Sequence, residues 1–207
     1  EILNLRYKPG EYLTDTQIAE ELNISRTPVR EAFRMLEREG LLNYEPRRGW
    51  KVYSLSLDDV NEIFDIKLCL EGMISRKAAQ CKDRALRKKL KELIHDMRTA
   101  SDNKDVDSWV KIDLDLHHVI FMMGRNLRAT QIIEGLNDQW NRLRIGFSAR
   151  TGRVSRSIFE HEAMVKAILA GDEENAERLT IDHLEKVREE LTSLLVNLVL
   201  PFVKEGV

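Results

Sequence analysis

The run Thr14-Asp15-Thr16-Gln17-Ile18-Ala19-Glu20-Glu21-Leu22-Asn23-Ile24-Ser25-Arg26-Thr27-Pro28-Val29-Arg30-Glu31-Ala32-Phe33-Arg34-Met35-Leu36 decides the fold of the N-terminal part of the chain. Thr14 to Gln17 has the S/T-x-x-E/Q form of a capping box and opens a short apolar-periodic run of Ile18, Ala19 and Leu22. That run stops at Asn23-Ile24-Ser25. A second helix follows at once, with Ser25 or Thr27 as its cap and Pro28 in the first turn, where a missing N–H costs nothing. Val29, Ala32, Phe33 and Leu36 are expected to face inward until Gly40 ends the helix. Two helices joined by so short a turn form a helix-turn-helix. Beyond it, Leu41 to Tyr44 and the strand-favouring Trp50-Lys51-Val52-Tyr53 flank the turn-rich Glu45-Pro46-Arg47-Arg48-Gly49. This predicts a two-stranded hairpin, the wing of a winged helix.

Past the connector Ser54-Leu55-Ser56-Leu57-Asp58-Asp59 the pattern is helical throughout. About six helices are predicted, over 58–81, 84–100, 106–124, 127–149, 154–171 and 173–199. Asp83, the segment Ser101 to Asp105, Gly124 to Asn126, Thr151-Gly152 and Gly171-Asp172 separate them. The fold class is therefore mainly α, with a winged helix-turn-helix over residues 1–54 and an all-helical bundle over 55–207. Composition agrees: aromatic residues are 6% of the 207, with Gly 10 and Pro 4, too few turn formers for a sandwich or barrel. A hydrophobic content of 43% excludes a wholly disordered tail. The most apolar stretch, Leu191 to Val203, is about 13 residues against the roughly 20 needed to span a bilayer. It reads as a closing helix. Cys69 and Cys81 fit neither a disulfide framework nor a CxxC metal site, so a reduced cytoplasmic compartment is the default expectation. The opening at Glu1, in apolar helical sequence and without Met or signal-peptide flanks, leads us to expect a preceding helical stretch.

The formal net charge of −2 argues against a globally basic coat for nucleic acid, but a local patch is another matter. Residues 1–54 carry nine basic and nine acidic side chains, so neither half of the chain is basic overall. Arg26 and Arg30 are four apart, on one face at the start of the second helix, where a helix-turn-helix meets major-groove base edges. Each guanidinium can take O6 and N7 of guanine together. Ser25, Thr27, Arg47 and Arg48 are placed to hold phosphates, which fix register without reading sequence. A solvated basic helix face with a proline cap is the plainer alternative on spacing alone.

These residues also carry a resemblance. Lys8-Pro9-Gly10-Glu11-Tyr12-Leu13, the run Ile18 to Leu36, Glu39-Gly40-Leu41 and Pro46-Arg47-Arg48-Gly49 together resemble the winged-helix domain of GntR-type bacterial transcription regulators. Leu5 stands where that family often has Gly. The resemblance implies that Arg26, Thr27 and Arg30 contact operator DNA and that Gly49 lets the wing tip approach the minor groove.

The helical half holds a second constellation. At about 100° per residue, His117 lies about 40° from Asp113 and inside the stripe formed by Trp109, Val110, Ile120 and Phe121. His161 shares a face with Val154, Ile158, Val165, Ile168 and Leu169, and His183 with Ala176, Leu179, Val187 and Leu191. His95 and His118 point away from their apolar faces. Three inward imidazoles and one carboxylate match the ligand set of a divalent transition metal, with Zn, Ni, Mn and Fe all suited to it. The alternative makes each His a satisfied core group and Asp113 to His117 an ordinary helix pair. On the same phase count Lys67 and Glu71 fall on the apolar side of the first bundle helix, and Arg144 lies beside Trp140 and Phe147. Lys67 and Arg144 are the candidate partners of an anionic effector; a buried Lys67–Glu71 pair and a snorkelling Arg144 are the alternative.

Asp113-Leu114-Asp115-Leu116-His117 with Gly124-Arg125-Asn126-Leu127, and then His161 to Asp172, Ala176 and His183, resemble the FCD effector domain of the FadR branch of the same regulators. In its metal-containing members an Asp and three His at these motif positions hold the ion, which implies Asp113, His117, His161 and His183 as ligands. The family often has Arg where Lys67 stands, and lysine lacks the bidentate fork. The expectation is a homodimeric regulator whose two winged helices address a palindromic operator and whose metal receives a small organic acid. A metalloenzyme using the same four ligands, and a DNA-binding dimer with a ligand-free structural bundle, are the alternatives.

Overall fold

The computed structural model describes residues 2, 6–8, 10–38, 40–53, 56–137 and 153–196. Two compact units emerge, one built on Glu1–Leu57 and the other on Asp58–Leu194.

In the first unit, α1 (Asp15–Leu22) and α2 (Arg26–Arg38) are the two expected helices. The Thr14 side chain caps α1, accepting from the Gln17 N–H at 3.1 Å, and Asn23 in the left-handed region ends it. Because α2 begins at Arg26, Ser25 immediately precedes its first turn. Two strands were expected and three are present among the described residues: β1 (Tyr12–Leu13), β2 (Leu42–Glu45) and β3 (Gly49–Val52), antiparallel in the order β1-β3-β2. A two-residue strand is too short for alternation to reveal, and only its pairing of Tyr12 with Lys51 and Leu13 with Trp50 defines it. Glu45 pairs with Gly49 across the wing turn, where Arg47 takes a positive φ of 70°. Gly49 has φ +103°, and a Cβ on it would stand 2.8 Å from the Leu13 carbonyl oxygen, so β1 and β3 close only over glycine.

The core of this unit is Tyr7, Leu13, Ile18, Ala19, Val29, Phe33, Leu42, Trp50 and Val52, with the Phe33 and Trp50 rings 5.4 Å apart. Ala32 and Leu22 do not join it. Both are exposed and Leu36 is half-buried. Val29 and Phe33 are separated by about 40° around the helix while Ala32 lies about 100° from Phe33, so one narrow stripe of α2 suffices against a three-stranded sheet.

The second unit is helical: α3 (Leu57–Ala79), α4 (Arg84–Asp102), α5 (Val106–Gly124), α6 described over 127–137, α7 (Arg153–Ala170) and α8 (Glu173–Leu194). Asp83 caps α4 through the Ala85 and Leu86 amides, and Asp105 caps α5 through Ser108. The expected helix over 127–149 can be followed to residue 137; its remainder, with Arg144, lies outside the described residues. Ile74, Leu90, Met97, Leu116, Ile120, Met123, Ile133, Ile158, Met164 and Ile168 form the interior. No helix among the described residues is long and apolar enough to cross a membrane.

Gly124, the last residue of α5, sits against α3 so closely that a Cβ would fall 2.7 Å from Ile74 Cγ2 and 2.8 Å from its carbonyl oxygen. A side-chain atom can yield, but backbone cannot without moving α3. Gly124→Ala gains about 1 kcal/mol of helix propensity and loses about 1 to 3 to overpacking. We expect a lower melting temperature; one at or above wild type would contradict the close approach.

Candidate functional site

The charged surface of the first unit starts from α1 and α2. Arg26 and Arg30 project from the first two turns of α2, their side chains 55% and 59% exposed. Both are held by Asp15: Arg26 Nη2 donates to Oδ1 and Oδ2 at 3.1 and 3.0 Å, and Arg30 Nε to Oδ2 at 2.5 Å. Desolvation pulls the Asp15 carboxyl upward, but the hydrogen bonds from Arg26 and Arg30 outweigh it and its pKa is lowered. Ser25 and Thr27 are exposed at the same helix end. On the wing, Arg47 and Arg48 are both exposed. Arg48 is anchored, donating to the Tyr12 hydroxyl at 3.1 Å, while that hydroxyl donates to Glu45 at 2.7 Å. Tyr12, then Lys51 and Arg48, hold the Glu45 carboxyl below its ordinary range. α2 thus offers two directed guanidiniums and the wing tip one anchored and one turn-borne arginine.

The second site is buried. Asp113 and His117 come from α5, His161 from α7 and His183 from α8, and the structure brings all four together. His161 is completely buried, Asp113 and His183 nearly so, and the three imidazoles offer ligand atoms within 4.8 Å of one another. His161 Nε2 lies 2.9 Å from Asp113 Oδ1 and 3.4 Å from His117 Nε2, and His117 Nε2 lies 3.9 Å from the same carboxylate oxygen. Outer partners orient the rings. His161 Nδ1 is 2.8 Å from the Ser157 carbonyl oxygen and 3.0 Å from its hydroxyl; His183 Nδ1 is 2.8 Å from Glu160 Oε2. Lys186 sits 3.4 Å from the other Glu160 oxygen. Each outer contact occupies Nδ1 and leaves Nε2 for the centre. Burial pushes the His117 pKa from 6.5 down to about 4, with nearby Glu71 opposing and the proximity of His161 and Lys67 adding to it. His95 and His118 are exposed.

Lys67 and Glu71 lie beside this cluster on α3, both buried. Lys67 Nζ is 2.5 Å from Glu71 Oε1 and also donates to Asn137 Oδ1, while Glu71 Oε2 is 3.7 Å from His117 Nδ1. The buried pair foreseen as an alternative is therefore formed, and it places a cation one carboxylate away from a cluster imidazole. Ser157, Glu160, Asn137 and Asp15 escaped sequence reading. Ser157 and His161 share an i, i+4 spacing that could have been noticed. Glu160 reaches His183 from another helix, and Asp15 reaches α2 across a turn, so no local period announces either.

A winged helix-turn-helix followed by a helical domain with a buried polar cluster is the architecture of a DNA-binding regulator. The family model described as bacterial regulatory proteins, gntR family, matches residues 1–52, and the FCD domain model matches residues 62–186. This chain belongs to the gntR family of bacterial transcription regulators, in the group that carries an FCD domain. It is similar to the uncharacterized HTH-type transcriptional regulator YdhC of Bacillus subtilis, 27% identical over 198 residues, covering 94% of this chain and 87% of that protein. It is likewise similar to the HTH-type transcriptional repressor RspR of Escherichia coli, 25% identical over 194 residues with 94% and 85% covered. The fold matches the solved structure of E. coli McbR/YncC with a TM-score of 0.70 at 21% identity, over 92% of this chain and 90% of that one. The protein is a DNA-binding transcription regulator and not an enzyme, which sets aside the metalloenzyme alternative.

A neutral His117, its side chain 15% exposed, fixes a pH dependence. Its folded pKa lies below its ordinary value, so the unfolded chain binds the proton first, and stability present above pH 6.5 is lost as pH falls toward about 4. With chelator present, melting temperature should decline across that window, and His117→Gln should flatten the decline. An unchanged slope in the variant would contradict the neutral imidazole.

Proposed function

We propose that this regulator binds a palindromic operator as a homodimer through α2 and the wing, and that its FCD domain holds a divalent transition metal that receives a small carboxylate effector. One observation carries the metal. In the proposed tautomer a neutral His161 donates its Nδ1 proton to the Ser157 carbonyl at 2.8 Å and leaves Nε2 as an acceptor. That nitrogen faces Asp113 Oδ1 at 2.9 Å and His117 Nε2 at 3.4 Å. Acceptors crowded this closely in a buried site need a positive charge among them. Asp113, His117, His161 and His183 would hold it with one oxygen and three nitrogen ligands, a donor set that suits Zn, Ni, Mn or Fe. When bound, the ion supplies Lewis-acid charge at which a carboxylate can be anchored.

The protein's own groups do the remaining work. Glu160 and Ser157 hold His183 and His161 with Nε2 inward. Lys67, shared between Glu71 and Asn137, is the cation proposed to face the effector, with Arg144 second. An effector that prefers one dimer geometry changes operator affinity by that preference and no more. In the DNA-binding unit, Arg26 and Arg30 would read bases, Ser25, Thr27, Arg47 and Arg48 would hold phosphates, and Gly49 would keep the wing close to the groove.

The same 2.9 Å contact favours one other occupant of the pocket, a second proton on His161 that makes an imidazolium–Asp113 pair in a ligand-free bundle. Elemental analysis of purified protein separates the two. We expect near-stoichiometric transition metal in the wild type and its loss in His161→Ala and His183→Ala, with small carboxylates raising the melting temperature only of the metal-loaded form. Metal retained in both variants, or absent from the wild type, overturns the proposal. For the DNA site, Arg26→Ala should cost about 1 to 3 kcal/mol at a selected duplex and relax base preference. Undiminished affinity in a gel-shift titration would remove Arg26 from the reading helix.

A further inference from the structure

We propose that Asp15 is a positioning residue that sets how selectively α2 reads DNA, by holding Arg26 and Arg30 together and withholding them from phosphates. The inference rests on the proposal that these two arginines meet base edges. Asp15 is not needed as a cap: the N-cap of α1 is Thr14, whose hydroxyl oxygen takes the Gln17 amide. Asp15 is the first residue of α1, where its charge suits the helix dipole. Both of its oxygens nevertheless turn to the other helix, and all three of its hydrogen bonds to α2 come from Arg26 and Arg30. Its side chain is 14% exposed, while those of the two arginines are more than half exposed. A largely covered carboxylate therefore steers two guanidiniums whose far sides face solvent.

DNA binding is affected in three ways. Two guanidiniums four residues apart repel, and one carboxylate between them cancels half their charge. Phosphate attraction is the sequence-independent part of DNA affinity, so that cancellation falls chiefly on non-specific binding. A fixed negative charge beside both arginines also repels any phosphate that competes with a base for them. Finally, each arginine is already ordered before DNA arrives, which reduces the side-chain entropy lost on docking. Donors remain for the bases. The bond from Arg30 to Asp15 uses Nε, so its Nη1 and Nη2 edge takes no part in it and has the spacing for O6 and N7 of guanine. Asp15 thereby makes α2 a poorer general binder and a sharper reader.

The test uses the full chain as wild type, Asp15→Asn, Asp15→Ser and Arg26→Ala. A pool of duplexes with a randomised core supplies a selected sequence, and its scrambled version supplies the non-specific probe. Affinities for both are titrated over a salt series, and circular-dichroism melts follow folding. In Asp15→Asn and Asp15→Ser we expect tighter binding to the scrambled duplex by several-fold. The slope of log affinity on log salt should steepen by about 0.9 for each additional phosphate neutralised. The selected-to-scrambled ratio should fall about tenfold, on the scale of one mismatched base pair. An unchanged ratio and slope overturn the proposal, as do parallel losses on both duplexes with a lowered melting temperature, which would make Asp15 a brace between helices only. Arg26→Ala separates the two levels. If it leaves the selected duplex bound as before, the base-reading assignment itself fails; if it weakens that duplex while Asp15→Asn keeps the ratio, only the role of Asp15 fails.

Discussion

The polar interior of the helical unit is arranged around the contact between His161 Nδ1 and Ser157. With Nδ1 committed to Ser157 at 2.8 Å, the opposite nitrogen must face Asp113 and His117. Burying a carboxylate and three imidazoles among leucine, isoleucine and methionine side chains is costly unless each finds a partner. The bundle answers with a second ring of groups. Glu160 takes His183 and is itself met by Lys186, and Glu71 approaches His117 while Lys67 balances Glu71. Charge alternates outward from the centre, and Trp109 closes one side with its ring edge-on to His161.

The DNA-binding unit faces the reverse problem, keeping charge outside and aimed. Its acidic and basic residues are equal in number, so direction is all it can supply. Asp15 gathers two arginines on α2, and Glu45 gathers Arg48, Lys51 and the Tyr12 hydroxyl on the wing. One carboxylate on each element thus does for exposed cations what the outer ring does for the buried histidines. The narrow apolar stripe of Val29 and Phe33 leaves the rest of α2 open for this use.

Most of the architecture was legible along the chain because its signals are local. Thr14 and Asp83 announce helix starts within four residues, Gly40 and Gly171 announce ends, and Pro46 to Gly49 can only be a turn. β1 was not legible, since two residues carry no period and its partner lies about forty positions away. Ala32 and Leu22 fit the apolar pattern yet are exposed, because a small sheet needs only one stripe of each helix. The inward faces of His117, His161 and His183 followed from helical phase, whereas their outer partners did not: Glu160 and His183 are 23 residues apart on different helices.

The sequence by itself determined the order of the elements, the family, and which titratable residues lie on apolar faces, because capping, periodicity and motif spacing all act within a few residues. Only the tertiary structure decided that the faces of α5, α7 and α8 converge on one cluster, that Lys67 pairs with Glu71 and Asn137, and that Asp15 holds the two arginines of α2. Those pairings depend on distance in space between residues that share no period along the chain.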